Sequence, residues 1–301
     1  MAISRAQLVK ELEPGLNALF GLEYKQYANE HAEIFDTESS DSAFEEEVML
    51  SGFANAAVKP EGQGGQFDDA QETFTARYTN ETIALAFAIT EEAIEDNLYD
   101  RLASRYTKAL ARSMANTKQV KAAAVLNNGF NANFAGGDGV ALFATNHPTI
   151  AGTFSNELAV ASDLNETSLE QALIDIAAMT DERGLKIASR GMKLIIPSAL
   201  QFTADRLMKS EGRTGTADND INAVKNMGMI PEGYTVNHFL TSAKKWFIKT
   251  DVPNGLKHFV RSPIKTSMEG AFDTGNVRYK ARERYVFGFS DPRGIFGSDA
   301  V

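Results

Sequence analysis

Hydrophobic positions recur along this chain in three rhythms. Near the start, Leu8, Leu12, Leu16, Leu19 and Phe20 fall at helical spacing, but Pro14-Gly15 interrupts them. Residues 1–44 therefore read as helical turns and loops that need a surface to lie on, their own or a neighbour's. Residues 45–57 and 74–89 hold β-rich or alternating stretches such as Thr73-Phe74-Thr75-Ala76-Arg77-Tyr78, and between them lies Lys59-Pro60-Glu61-Gly62-Gln63-Gly64-Gly65. Glycine and proline at that density make a flexible turn, which predicts a long hairpin with a polar tip. Two-stranded ribbons are marginal in water, so this arm is expected to dock on another chain.

The strongest periodicity follows. Ile94, Leu98, Leu102, Tyr106 and Leu110 form an apolar stripe, Thr90 is a suitable N-cap with Glu91 and Glu92 behind it, and no Pro or Gly occurs before Gly129. This predicts a helix over residues 90–128, about 50 Å or more in length, stopped by Gly129 at C′. Residues 130–163 are loop-rich. Thr167-Ser168-Leu169-Glu170 reads as a capping box opening a helix to Arg183, with Gly184 closing it. Residues 192–196 read as a buried strand ended by Pro197, and Ser198 as the cap of a third helix through Lys209. Residues 212–220 read as a polar loop or tip. Strands are expected at 234–237, 246–249, 258–260 and 277–288. The mixture is α+β with antiparallel pairing, and no repeat of fixed period is visible.

Composition narrows the function classes. The chain has no cysteine, which excludes disulfides and thiolate metal sites. Its start lacks a basic segment followed by an apolar run, so no signal peptide is expected, and apolar stretches such as 83–89 are too short to span a bilayer. Net charge is −10, and Lys and Arg are scattered in sequence. A protein that grips nucleic acid through phosphates needs a basic patch, so sequence-specific binding is not expected. A shell lining past which DNA slides is compatible with such weak attraction.

Candidate chemistry is sparse. His31, His147, His238 and His258 are the only histidines, and none has zinc-hydrolase spacing. Asn146-His147-Pro148 reads as a turn. Ala135-Gly136-Gly137-Asp138-Gly139 lacks the Lys-Ser/Thr of a phosphate loop and follows a helix rather than a strand, so it too reads as a turn. Asp36, Glu38, Asp41, Glu45, Glu46 and Glu47 form an acidic run without an EF-hand pattern, and read as a solvated or partner-facing surface. No catalytic residue, metal site or cofactor is assigned, and the chain is not expected to be an enzyme.

Three pieces of sequence carry a resemblance. One is Lys121-Ala122-Ala123-Ala124-Val125-Leu126-Asn127-Asn128-Gly129-Phe130, followed by Gly139-Val140-Ala141-Leu142-Phe143 and Asn146-His147-Pro148. Another is Lys193-Leu194-Ile195-Ile196-Pro197 with Thr214-Gly215-Thr216-Ala217-Asp218-Asn219-Asp220 beyond it. The last runs from Arg282-Glu283-Arg284-Tyr285 to Asp291-Pro292-Arg293-Gly294. In their order the parts resemble the HK97-fold major capsid proteins of tailed bacteriophages, over nearly the whole chain. The resemblance implies an N-terminal arm at 1–44 and an E-loop hairpin at 45–89. It implies a P-domain with a spine helix at 90–164 and 271–301, and an A-domain at 165–270.

The resemblance further implies a homo-oligomer of pentamers and hexamers forming an icosahedral head around double-stranded DNA, built in the host cytoplasm. Expected partners are a separate scaffolding protein, a portal and a possible decoration protein, with no membrane. Intersubunit contacts are expected at the hairpin (Lys59, Pro60, Glu61, Gly62, Gly64, Gly65, Phe67 and Arg77). They are also expected at an axial tip (Thr214, Gly215, Asp218, Asn219 and Asp220) and on the last long strand (Arg282 and Arg284). Some relatives crosslink a lysine covalently, but Lys59 reads as an ordinary exposed lysine. An encapsulin-like compartment and, further off, a soluble enzyme with an unrecognised site are the alternatives.

Overall fold

A long helix lying along a four-stranded sheet organises one half of the molecule. The structure, a computed structural model, describes residues 5–90, 92, 99–213, 220–270 and 274–300; of 5–12 and 99–102 it describes the backbone. The helix α2 (Tyr99–Asn127) spans 29 residues without a break, about 43 Å at its rise per residue. The start expected at Thr90, with Ile94 and Leu98, lies outside the described residues, as does the Leu102 side chain. Ala103, Thr107, Leu110, Ala111, Met114, Ala122 and Leu126 are buried, while Tyr106 is half exposed at 49%. The packed face therefore runs one residue away from the expected stripe and is rich in alanine. Small side chains allow a close approach of the elements above and below.

The first of those elements is α1 (Arg5–Gln26), which continues straight through Pro14. A proline inside a helix costs about 3 kcal/mol through its missing N–H and its ring clash. Leu16 and Phe20, buried against α2 and the sheet, offset that cost, so the expected interruption does not occur. The sheet beneath has the order β1-β10-β11-β4. Its strands are β1 (Asp36–Ser39), β4 (Glu81–Ile89), β10 (Leu256–Gly270) and β11 (Val277–Phe289). β10 and β11 pair antiparallel from Leu256↔Phe289 to Gly270↔Val277. Along β11 burial alternates strictly at first. Val277, Tyr279, Ala281, Glu283 and Tyr285 face α1 and α2, and Arg278, Lys280, Arg282 and Arg284 face away.

A second sheet, ordered β12-β9-β7-β8, forms the other half. It contains β7 (Gly191–Ile196), β8 (Tyr234–Val236), β9 (Trp246–Thr250) and β12 (Ile295–Ser298). The helices α3 (Glu166–Ala178) and α4 (Gln201–Lys209) pack on it through Leu169, Leu173, Ile176, Ala204 and Leu207. Its pairing is mixed, since β7 runs antiparallel to β9 but parallel to β8. Between the halves lies a junction core of Leu126, Leu142, Ile195 and Ile295, with Phe130, Phe143 and Phe247 stacked at 4.6–6.2 Å. The halves exchange strands: β10 precedes residue 271 yet is central to the α2 sheet, and β12 closes the other one.

Three local expectations are corrected. The cap of α3 is Asn165, not Thr167. Asn165 Oδ1 accepts the Ser168 N–H at 2.9 Å, and Ser168 Oγ accepts the Asn165 N–H at 3.0 Å. The helix ends at Ala178, because Met179 turns extended and residues 180–186 form a tight turn in which Gly184 takes φ +80. Gly129 does not work through a positive φ; the Phe143 ring lies where a Cβ would sit, 2.5 Å away, so close packing requires it.

Candidate assembly surfaces

The expected hairpin exists, but it is shorter than the sequence pattern suggests. β2 (Phe44–Leu50) and β3 (Glu72–Thr79) pair antiparallel from Phe44↔Thr79 to Leu50↔Glu72. At Asn80 the chain leaves the ribbon, and β4 pairs with β11 instead. Residues 74–89 are therefore two strands in two sheets, because Asn80 turns inward to donate to Ser40 Oγ at 2.7 Å. The ladder closes where Ser51 N–H donates to the Gln71 carbonyl at 2.9 Å.

From 52 to 72 every residue is exposed. Lys59, Pro60, Glu61, Gly62, Gly64 and Gly65 all lie in this tip, with a turn from Gln63 N–H to the Pro60 carbonyl at 3.3 Å. Phe53, Val58 and Phe67 are exposed at 60%, 94% and 102%. A fully solvated phenylalanine beside a fully solvated valine is an unsatisfied apolar surface. Within the chain the tip has two tethers. Ala54 N–H donates to Asp68 Oδ2 at 2.7 Å, and Arg183 donates to the Asp69 carbonyl at 2.6 Å. The Ala54 bond, with that from Asp69 N–H and the Arg183 charge, holds the Asp68 carboxyl below the usual range.

The foot of the ribbon is fixed. Glu47 bonds the Ser290 hydroxyl, which bonds Tyr78. Lys257, 4% exposed, pairs with Glu38 and stands 3.8 Å from Glu47. The rest of the acidic run is also matched inside the chain: Asp36 to Lys249 at 3.0 Å, Asp41 to Arg261 at 3.8 Å, and Glu46 to Arg77 at 3.7 Å. Arg77 also lies over the Phe44 ring at 3.9 Å. These acids clamp β1 and β2 to the body, and do not form a free partner-facing strip.

The remaining expected contact residues lie apart from the tip. Asp220 is exposed, and its carbonyl accepts from Arg213 N–H at 2.8 Å. Thr214, Gly215, Asp218 and Asn219 lie outside the described residues. Arg282 is exposed and Arg284 half-buried on the outer face of β11.

Sequence reasoning missed a set of buried polar pairs. Arg293, 3% exposed, donates to Glu182 Oε1 at 2.7 Å and to the Thr180 carbonyl at 2.7 Å, with Asp291 at 3.3 Å. Asn156 Nδ2 donates to the carbonyls of Leu142 and Pro292 at 2.7 and 2.9 Å. His147 is fully buried, with Nδ1 2.6 Å from Asp138 and Nε2 3.1 Å from Asn156. The two segments read as bare turns are thus pinned to each other. No local signal in the sequence marks Asp138 and His147 as partners. On the other side of the molecule Lys118 pairs with buried Glu283 at 2.8 Å, beside Tyr24. Burial pushes the Glu283 carboxyl up and Lys118 draws it back; for Lys118, burial is outweighed by Glu283, and its pKa rises.

His31 and His258 lie edge to face at 5.2 Å under Phe287. Burial, then His31 and Lys118, push His258 down to about 3. Each of these side chains is engaged by its own chain and shielded from solvent, so none is presented to a substrate. Among the described residues no group of three His, Asp or Glu is placed to hold a metal ion, and no helix is long and apolar enough to cross a membrane.

A sequence model of the family described as phage capsid protein matches residues 72–298. The chain belongs to this phage capsid family. The capsid subunit is similar in fold to solved shells. It matches the capsid of the cyanophage P-SCSP1u with TM-score 0.57 at 11% identity, over 89% of this chain and 86% of that one. It matches the capsid of an empty GTA particle with TM-score 0.55 at 12% identity, over 91% of each chain. It matches the virus-like particle from Pyrococcus furiosus with TM-score 0.55 at 11% identity, over 94% and 98%. No curated protein sequence matches it. The resemblance to HK97-fold capsid proteins and the α+β fold expected from sequence are borne out, and the capsid subunit is a structural component of a virion shell.

Proposed function

We propose that this chain is the major subunit of a tailed-phage head. It associates into pentamers and hexamers that close an icosahedral shell around double-stranded DNA. The observation that carries this reading is the tip at 52–72, wholly exposed yet bearing Phe53, Val58 and Phe67. Burying such side chains on a neighbour contributes about 1.5–3 kcal/mol each. Repeated around a ring, modest contacts of this kind sum to a stable assembly, and heterologous contacts that rotate and close generate rings.

In this reading 45–89 is the E-loop and 165–270 holds the A-domain, with 212–220 at the symmetry axis. Residues 1–44 form the arm, and 90–164 with 271–301 form the P-domain. A separate scaffolding protein, a portal and a decoration protein complete the head, which assembles in the host cytoplasm. DNA is enclosed without sequence-specific grip, consistent with a net charge of −10. Electron microscopy of the expressed protein tests this. Shells, rings or tubes are expected; a compact, catalytically active monomer at every concentration overturns it.

A second reading, an encapsulin-like compartment, is motivated by the end-to-end likeness to the Pyrococcus furiosus particle. At 11% identity that likeness concerns the fold alone, and the phage capsid family match favours the head. Particles purified full of protein cargo and free of nucleic acid would favour the compartment.

A further inference from the structure

One surface of the molecule runs against its overall charge. The face of the α2 sheet that points away from α1 and α2 carries Arg278, Lys280, Arg282 and Arg284 on β11, with Lys265 opposite Arg282 on β10. Alternate residues on a strand stand about 6.8 Å apart, so the four β11 cations make a row about 20 Å long. Among the described residues none of the five is in an ion pair, and Glu269, opposite Arg278, is the one acid on this face of β4, β11 and the paired part of β10. The Nε of Arg284 is buried without a hydrogen-bond partner. In a chain of net charge −10, five unmatched cations at this spacing repel one another until an anion joins them.

Beside the row lies a flat floor. Ala84, Ala86 and Ala88 of the edge strand β4 stand in register with Arg282, Lys280 and Arg278, and all three are exposed. A surface of small apolar side chains bordered by cations fits a segment that is both acidic and apolar. The hairpin tip has that composition. Residues 51–72 hold Glu61, Asp68, Asp69 and Glu72 against Lys59 alone, together with the solvated Phe53, Val58 and Phe67. The chain's own tip is held elsewhere, at Arg183.

We propose that the outward face of β4, β11 and β10 receives the hairpin tip of a second copy, with tip carboxylates on the β11 row and tip apolar side chains on the β4 alanines. This rests on the capsid reading and supplies the receiving surface for its arm. The contact is heterologous, tip to sheet, as ring closure needs. Opposite charges fix its register and speed its formation.

Charge reversal tests it. Lys280→Glu with Arg282→Glu changes two exposed side chains, so circular dichroism stays that of the unaltered subunit while shell yield falls about tenfold or more. Glu61→Lys with Asp69→Lys has the same effect, and the four changes together restore shells. A second measurement exploits the absence of cysteine: a chain carrying Gln66→Cys and Ala86→Cys, oxidised after assembly, gives a ladder of covalent oligomers on a denaturing gel. Normal shell yield from the Lys280/Arg282 variant overturns the proposal. So do particles formed in normal yield that have lost only their nucleic acid, which would make the row a DNA contact, and so does a gel with no ladder. An unaltered chain that never forms shells instead counts against the capsid reading beneath it.

Discussion

The hairpin tip and the segment 290–294 are both polar, irregular and free of regular pairing, yet one is wholly solvated and the other is among the most buried parts of the molecule. The difference lies in where their polar groups find partners. In 290–294, Asp291 caps its own turn through Arg293 N–H, the Pro292 carbonyl accepts from Asn156, and the Arg293 side chain meets Glu182 and Thr180. An irregular segment can occupy a core when its groups are matched within the chain. The tip has two such tethers for some twenty residues and leaves two large apolar side chains in water. What orders it must come from outside the chain.

The sharpest way to break this contrast is to remove the buried match. Arg293→Met keeps the bulk but leaves the Glu182 carboxylate buried and unpaired. Urea unfolding of the isolated subunit should show a loss of about 3–5 kcal/mol, the usual cost of orphaning one member of a buried pair. A loss under about 1 kcal/mol would mean that the segment is held by packing alone. Asn156→Ala is expected to cost less, about 1–3 kcal/mol, because water can replace some of the bonds to the Leu142 and Pro292 carbonyls. Stability unchanged within error would show that those carbonyls are satisfied another way.

Between these regions lies the histidine pair beside the hairpin foot, which sharpens the comparison through pH. His258 has a folded pKa of about 3 against a model value of 6.5, and His31 shifts in the same direction. Neutral imidazoles therefore favour the folded state. Their contribution is complete above about pH 6.5 and is lost as pH falls toward 3, with a slope of at most about 1.4 kcal/mol per pH unit for each fully responding group. His258→Phe, which keeps the stack on Phe287, should flatten the acid limb of stability measured between pH 6.5 and 4. An unaltered slope would assign acid sensitivity to other groups.

Much of this architecture was legible in the sequence, and the failures have physical causes. The long helix, the hairpin, the closing strands and the capsid resemblance followed from period, turn chemistry and order of parts. Pro14 misled because a local rule was overridden by tertiary packing of Leu16 and Phe20. The alternation across 74–89 could not show that the strand changes sheets at Asn80, since period 2 persists through the switch. The acidic run looked like a partner surface because its cations, Lys249, Lys257 and Arg261, come more than 200 residues later. The basic row was invisible for a related reason. Four charges spaced by two read as scattered until β-strand alternation puts them on one face and β10 brings Lys265 alongside.

Shortening the tip gives the smallest expected change in folding and the largest in assembly. Removing residues 57–69 and joining the ends with a short turn deletes no core residue, since every residue from 52 to 72 is exposed. It forfeits the bonds of Asp68 and Asp69 to Ala54 and Arg183, exposed contacts of small net worth. Against that loss, a shorter loop costs slightly less to close, since each halving changes the closure entropy by only about 0.6 kcal/mol. The two effects oppose each other, so the unfolding free energy of the subunit should move by no more than about 0.5 kcal/mol. Shell formation, followed by sedimentation, should fail, because the tip's apolar and acidic side chains are gone while the foot at Glu47, Tyr78 and Ser290 remains intact. Equal loss of folding and assembly would place the tip within the subunit's own core and remove the distinction between the two irregular segments.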